Sequence, residues 1–302
     1  MRAGLLFFAF LSLITASVAW ADACSDGNSI RTRVCSLAQH HYLPYPNYQI
    51  PACDSGNPPT EWQLTQIEKA FDLAPPGVQQ GLCRATILVN QYDDQDAFGF
   101  WVNPQYHGPP NNVTFLSVPS SNFAKRFSDL QYLNLDALHV GWATHWEQVP
   151  NGPDPLAIGL LYILAHELAH TKWVQNPPTA CVQDSWTDQA LDTARNRRWV
   201  YFGNEIRGHG KYARYLPLPS ESWGPNDIAR VYNGGFVTML AAASPIEDYV
   251  ESYSVRSLKK CTNCGFFIQP SGGFSIQINT PGNSTPLQDK FDCVDAQIDA
   301  VQ

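Results

Sequence analysis

Residues 156–168 of this 302-residue chain read L-A-I-G-L-L-Y-I-L-A-H-E-L, thirteen positions with only Tyr162, His166 and Glu167 carrying polar groups. A helix that is apolar on every side belongs in a core, so the rest of the chain must be wrapped around it. Its start is marked by Asn151-Gly152-Pro153-Asp154-Pro155, a turn in which Asp154 suits the N-cap and Pro155 the first helical position. Its end is marked by Gln175-Asn176-Pro177-Pro178. Over 165–171 the run continues as A-H-E-L-A-H-T, which sets His166 and His170 one turn apart on one face. Two imidazoles and a carboxylate cannot be buried without partners.

Chance is a poor explanation of that trio. With eight histidines and eight glutamates in the chain, H-E-x-x-H should arise by chance roughly 0.005 times per chain of this composition. Two imidazoles so placed can bind one Zn²⁺ at about 2.0–2.1 Å, with Glu167 beside the ion as a base for water. In this stretch the chain resembles the zincin metallopeptidases.

A catalytic zinc needs three protein ligands and an open position. The metzincin spacing would place glycine at 173 and histidine at 176, where this chain has Trp173 and Asn176. That class is excluded, and no G-T-x-x-D follows. A glutamate from a second helix is the remaining solution. Residues 244–251 read S-P-I-E-D-Y-V-E: Ser244 suits an N-cap, Pro245 the first turn, and Glu247 and Glu251 lie one turn apart. Glu247 is the candidate ligand and Glu251 the candidate acceptor for the other ring N–H of a ligand histidine. Asp184, Glu205 and His209 are the rivals for the third position. The stretch G-F-V-T-M-L-A-A-A-S-P-I-E-D-Y-V-E-S-Y over 235–253 is similar to the second zinc motif of anthrax lethal factor-like metallopeptidases. The resemblance implies Glu247 as ligand and Glu251 as supporting carboxylate.

Two departures stand out. The interval from His170 to Glu247 is 77 positions (247 − 170), long for such relatives. Leu240 occupies the place of the tyrosine that those relatives carry seven residues before the ligand. Tyr232, Tyr249 and His209 are the candidates for the missing oxyanion-stabilising group.

The compartment is read from the other end of the chain. Met1-Arg2, an apolar run over 5–16 and Ala19-Trp20-Ala21 have the form of a secretory signal peptide over 1–21. All eight cysteines follow it, an even number that suits disulfides in an exported chain. Cys261 and Cys264 form a single C-x-x-C, read as structural. A secreted or periplasmic protein is expected, with no membrane anchor. The net charge of −8 and pI near 5.4 argue against a nucleic-acid partner.

The remaining segments predict an α+β chain. Residues 22–60 read as a loop-rich arm stapled by disulfides, 61–260 as the main domain, and 261–302 as a Cys-containing β/loop tail packed on it. Residues 61–72 form an amphipathic helix stopped by Pro75-Pro76. The β-branched and aromatic runs 85–92, 97–102 and 113–118 predict strands. Helices are expected over 122–130, 135–146, 185–202, 227–243 and 246–258, and strands over 266–269 and 274–278. The resemblance implies a zincin-like fold, with a small mixed sheet above the H-E-x-x-H helix and a mostly helical C-terminal part. It also implies Zn²⁺ as cofactor and a peptide or protein substrate. The lead expectation is an exported zinc endopeptidase with His166, His170 and Glu247 on the metal and Glu167 as general base. The rivals are a zinc-binding interaction protein without efficient catalysis and a disulfide-rich interaction module that binds no zinc.

Overall fold

The computed structural model describes residues 24, 27–37, 53–91, 100–102, 114–130, 142–147, 152–175, 237–238, 240–243, 245–259, 265–270, 276–277 and 285–300. The expected signal peptide, the helix over 185–202, Cys181, Cys261 and Cys264, and the rivals Asp184, Glu205, His209 and Tyr232 lie outside them.

Two disulfides hold the N-terminal part. Cys24 is bonded to Cys83 and Cys35 to Cys53; Cys293 is disulfide-bonded as well. Between the first two bridges the arm does more than loop. After a 3-10 turn at Ile30–Arg33 it forms strand β1 (Val34–Ser36), which pairs in parallel with β2 (Ala85–Asn90). Two parallel strands need a long crossover, supplied here by α1 (Glu61–Leu73) and α2 (Pro76–Cys83). Thr60 and Gln63 close a capping box at the start of α1. Pro75-Pro76 ends α1 as expected, yet Pro76 also opens α2, a helix the sequence reading missed. Proline is well placed at a first helical position, and Val78 and Leu82 are buried by the packing of α2.

β2 pairs in parallel with β4 (Thr114–Pro119), and β3 (Phe100–Val102) pairs antiparallel with β4. The result is a mixed four-stranded sheet, β1-β2-β4-β3. Alternate residues Ala85, Ile87, Val89, Leu116 and Val118 fall on one face and join the main core. Helix α3 (Pro155–Gln175) packs against that core and against α1 and α2. Asp154 caps it as the sequence predicts, accepting the Leu156 N–H at 3.0 Å and the Lys69 ammonium at 2.7 Å.

Two glycines let α3 be approached closely. A Cβ at Gly159 would sit 2.5 Å from the Lys125 carbonyl oxygen, and one at Gly81 on α2 would sit 2.5 Å from a Leu168 methyl group. The first contact accompanies a correction. The helix expected over 122–130 is two 3-10 turns, Ser120–Ala124 and Phe127–Asp129, with extended backbone at Lys125 and Arg126. That extended stretch lies directly on Gly159, and the turns on each side drop Phe123 and Phe127 into the core.

Two further expectations are overturned. The helix read over 135–146 is not formed at its end: Trp142–Glu147 is strand β5, antiparallel to β6 (Gly265–Pro270), which pairs with β7 (Ile276–Gln277). The aromatic and β-branched content of W-A-T-H-W-E favours a strand once a partner is present, and His145 is thereby a strand residue opposite Phe267. The tail is also not only β and loop, because Thr285–Ile298 forms a helix, here α5. Phe291, Val294 and Ile298 are buried at helical spacing along it. The helix expected over 246–258 is present as α4 (Pro245–Ser257).

Candidate metal centre

The centre is built where α3 and α4 face each other. Their one-turn spacings bring four side chains together: His166 and His170 from α3, Glu247 and Glu251 from α4. The two Nε2 atoms of His166 and His170 are 3.2 Å apart. One carboxylate oxygen of Glu247 lies 3.7 Å from His166 Nε2 and the other 3.6 Å from His170 Nε2. A donor atom from each of these three residues falls within 4.8 Å of the others, so the group can hold a metal ion.

Glu251 does not point into that space. One of its oxygens is 2.7 Å from His166 Nδ1, and it accepts hydrogen bonds from the Tyr162 and Thr238 hydroxyls on the other oxygen. Fully buried, it is held by three donors. With Nδ1–H donating to Glu251, Nε2 is the ring nitrogen of His166 that is turned toward His170 and Glu247. Thr238 is itself fixed, since its hydroxyl oxygen accepts the Ala241 N–H at 3.1 Å.

Glu167 shares the helix with both histidines and is 4 % exposed. Burial raises its carboxyl to about 7, against the lowering effect of His166 and with help from Glu247 and Glu251. Burial likewise raises Glu247 to about 7. For His166 burial acts downward, but the Glu251 hydrogen bond and charge outweigh it and raise the ring to about 9. His170 goes the other way, well below its ordinary value, through burial and the neighbouring His166. Three carboxyls therefore share a buried site with two imidazoles, a balance that favours a cation. Imidazole and carboxylate together suit zinc and other divalent transition metals.

Tyr249, one candidate for the missing phenol, is turned away. Its hydroxyl donates to Gln297 on α5 at 2.5 Å and its ring lies 5.3 Å from that of Trp173. Leu240 packs against the core beside α4. The residues that the sequence reading passed over are Tyr162 and Thr238. Tyr162 had a signal, standing one turn before His166 on the same face. Thr238 had none, because it lies outside α4 and meets Glu251 only through the fold.

Comparison of the chain with protein-family models, with curated proteins and with solved structures yields no match.

Proposed function

We propose that the protein is an exported zinc-dependent endopeptidase of the zincin type, with His166, His170 and Glu247 as metal ligands. The observation that carries the reading is the convergence of two Nε2 atoms and a carboxylate, with Glu251 behind His166. Tetrahedral bonds of about 2.0–2.1 Å would set ligand atoms roughly 3.3 Å apart, against the 3.2, 3.6 and 3.7 Å separations here. A mixed sheet with an antiparallel edge strand, packed beside the H-E-x-x-H helix, supports a zincin-like fold. The described disulfides suit an oxidising, extracytoplasmic setting. Among the described residues no helix is long and apolar enough to cross a membrane.

Zinc, when bound, would supply Lewis acidity toward a substrate carbonyl and an attacking water. The remaining work falls to the chain. Glu167 takes the proton of the attacking water and passes it to the leaving amine. Glu251, with Tyr162 and Thr238 behind it, keeps His166 oriented. β3, the antiparallel edge of the sheet, offers its backbone to an extended peptide by strand addition.

Replacing Glu167 by Gln tests the assignment. The variant should keep its zinc and lose peptide-bond cleavage, read on unfolded-protein substrates with metal content measured in parallel. Full activity in that variant removes Glu167 from its role. A second reading, a zinc-binding protein without efficient catalysis, is favoured by Leu240 at the tyrosine position together with the outward turn of Tyr249. Stoichiometric zinc without cleavage of a broad peptide library would select it.

A further inference from the structure

Helix α5 holds α4 from the side away from the metal centre. Lys290 Nζ lies 2.8 and 2.7 Å from the two carboxylate oxygens of Asp248. Tyr249 donates to Gln297, Arg256 pairs with Asp295 through Nε at 2.9 Å, and Lys259 reaches Asp299. Among these contacts the Lys290–Asp248 pair stands apart. It is the only one of them that is an ion pair in the first turn of α4, and both partners are buried, 7 % and 2 % exposed.

Successive residues of a helix project about 100° apart. Glu247 and Glu251, one turn apart, therefore face α3, while Asp248 faces α5. Holding Asp248 restrains the first turn of α4 against rotation about its axis, and with it the direction of Glu247. Stability alone does not account for such a pair, because desolvation offsets its attraction and an apolar replacement is often neutral.

We infer that Lys290 is a positioning residue, which holds Asp248 from α5 so that Glu247 points at His166 and His170. The inference rests on the metal-site reading above. Its test uses the full oxidised chain and compares zinc affinity, by competition with a chromophoric chelator, with the thermal stability of the metal-free protein. Three variants are needed. Lys290→Met strands a buried carboxylate, so Asp248→Leu/Lys290→Met removes both charges together. The double variant should keep a cooperative, metal-free melt and bind zinc about tenfold more weakly, the low end of what partners that touch a ligand directly supply. Lys290→Arg, which keeps the ion pair, should recover most of the affinity. Parental affinity in a folded double variant overturns the inference. So does loss of the folded metal-free state in both Met variants, which assigns the pair to folding alone. A parent that binds no zinc is a different failure, since it removes the metal site itself.

Discussion

From Ala157 to Ala165, helix α3 buries nine residues in a row, all apolar apart from the Tyr162 hydroxyl. From Asp248 to Val255, helix α4 buries eight, and Asp248, Glu251, Ser252 and Ser254 are among them. The first helix is in the core because of what its side chains lack. The second is there because most of its polar groups have partners, the buried Ser252 and Tyr253 hydroxyls being the exceptions among the described residues. Ser254 donates to the Val250 carbonyl one turn back, Glu251 accepts from three donors, and Asp248 faces Lys290. A buried polar group costs little only when it is satisfied. The α3 side of the centre is thus held by packing, and the α4 side by directed contacts.

The contrast makes different variants fail in different ways. The largest effect is expected on the α4 side of the metal itself. Glu247→Ala should remove most of the zinc from a protein that still folds, read by elemental analysis beside the parent. Zinc retained at parental stoichiometry would send the third ligand elsewhere in the chain.

On the α3 side the loss should appear as stability instead. Leu164 is fully buried, and Leu164→Ala should cost about 2–5 kcal/mol in urea unfolding. Zinc stoichiometry in the folded variant should be unchanged. A fall in metal content without a fall in stability would blur the division between the two helices.

Glu251→Gln should lie between these. It keeps the shape but weakens the hold on His166, for an expected loss of roughly 10- to 100-fold in zinc affinity. Unchanged affinity would mean that the ring needs no orientation from behind.

The smallest effect is on pH dependence. In the metal-free protein His166 holds its proton to about 9, against an ordinary value of 6.5. Its contribution to stability is complete below pH 6.5 and is lost as pH rises through 9. The carboxyls of Glu167 and Glu247, raised from 4.5 to about 7, act in the same direction at lower pH. His170 acts in the opposite direction, lost as pH falls through 6.5 toward its lowered value. From pH 6.5 to 9 the chelator-treated protein should therefore melt at progressively lower temperature. Zinc should flatten that slope, because the ion takes the place of the proton on Nε2. A melting temperature that climbs across the same window contradicts the site's proton balance.

Much of the centre was legible from local chemistry. The length of the apolar run determined that α3 is a core helix, and Asp154-Pro155 marked where it begins. The one-turn spacings His166–His170 and Glu247–Glu251 needed only helical geometry to put each pair on one face. The strands read over 85–92 and 113–118 from their β-branched and aromatic content are present as Ala85–Asn90 and Thr114–Pro119. Where the reading failed, the deciding partner was far away in sequence. Trp142–Glu147 became a strand because β6, more than a hundred positions later, pairs with it. Residues 120–130 stayed in short turns where their backbone meets Gly159. Helix α5 was overlooked although Phe291, Val294 and Ile298 follow a helical period.

What the sequence determined by itself was thus which faces the candidate donors occupy, since that depends on spacing along one helix. What only the tertiary structure decided was their orientation: His166 Nδ1 against Glu251, Tyr249 turned to α5, and Asp248 held by Lys290 across 42 positions. Hydrogen bonds and ion pairs are short and directional, and here their partners come from different elements. No period along a single element can announce them.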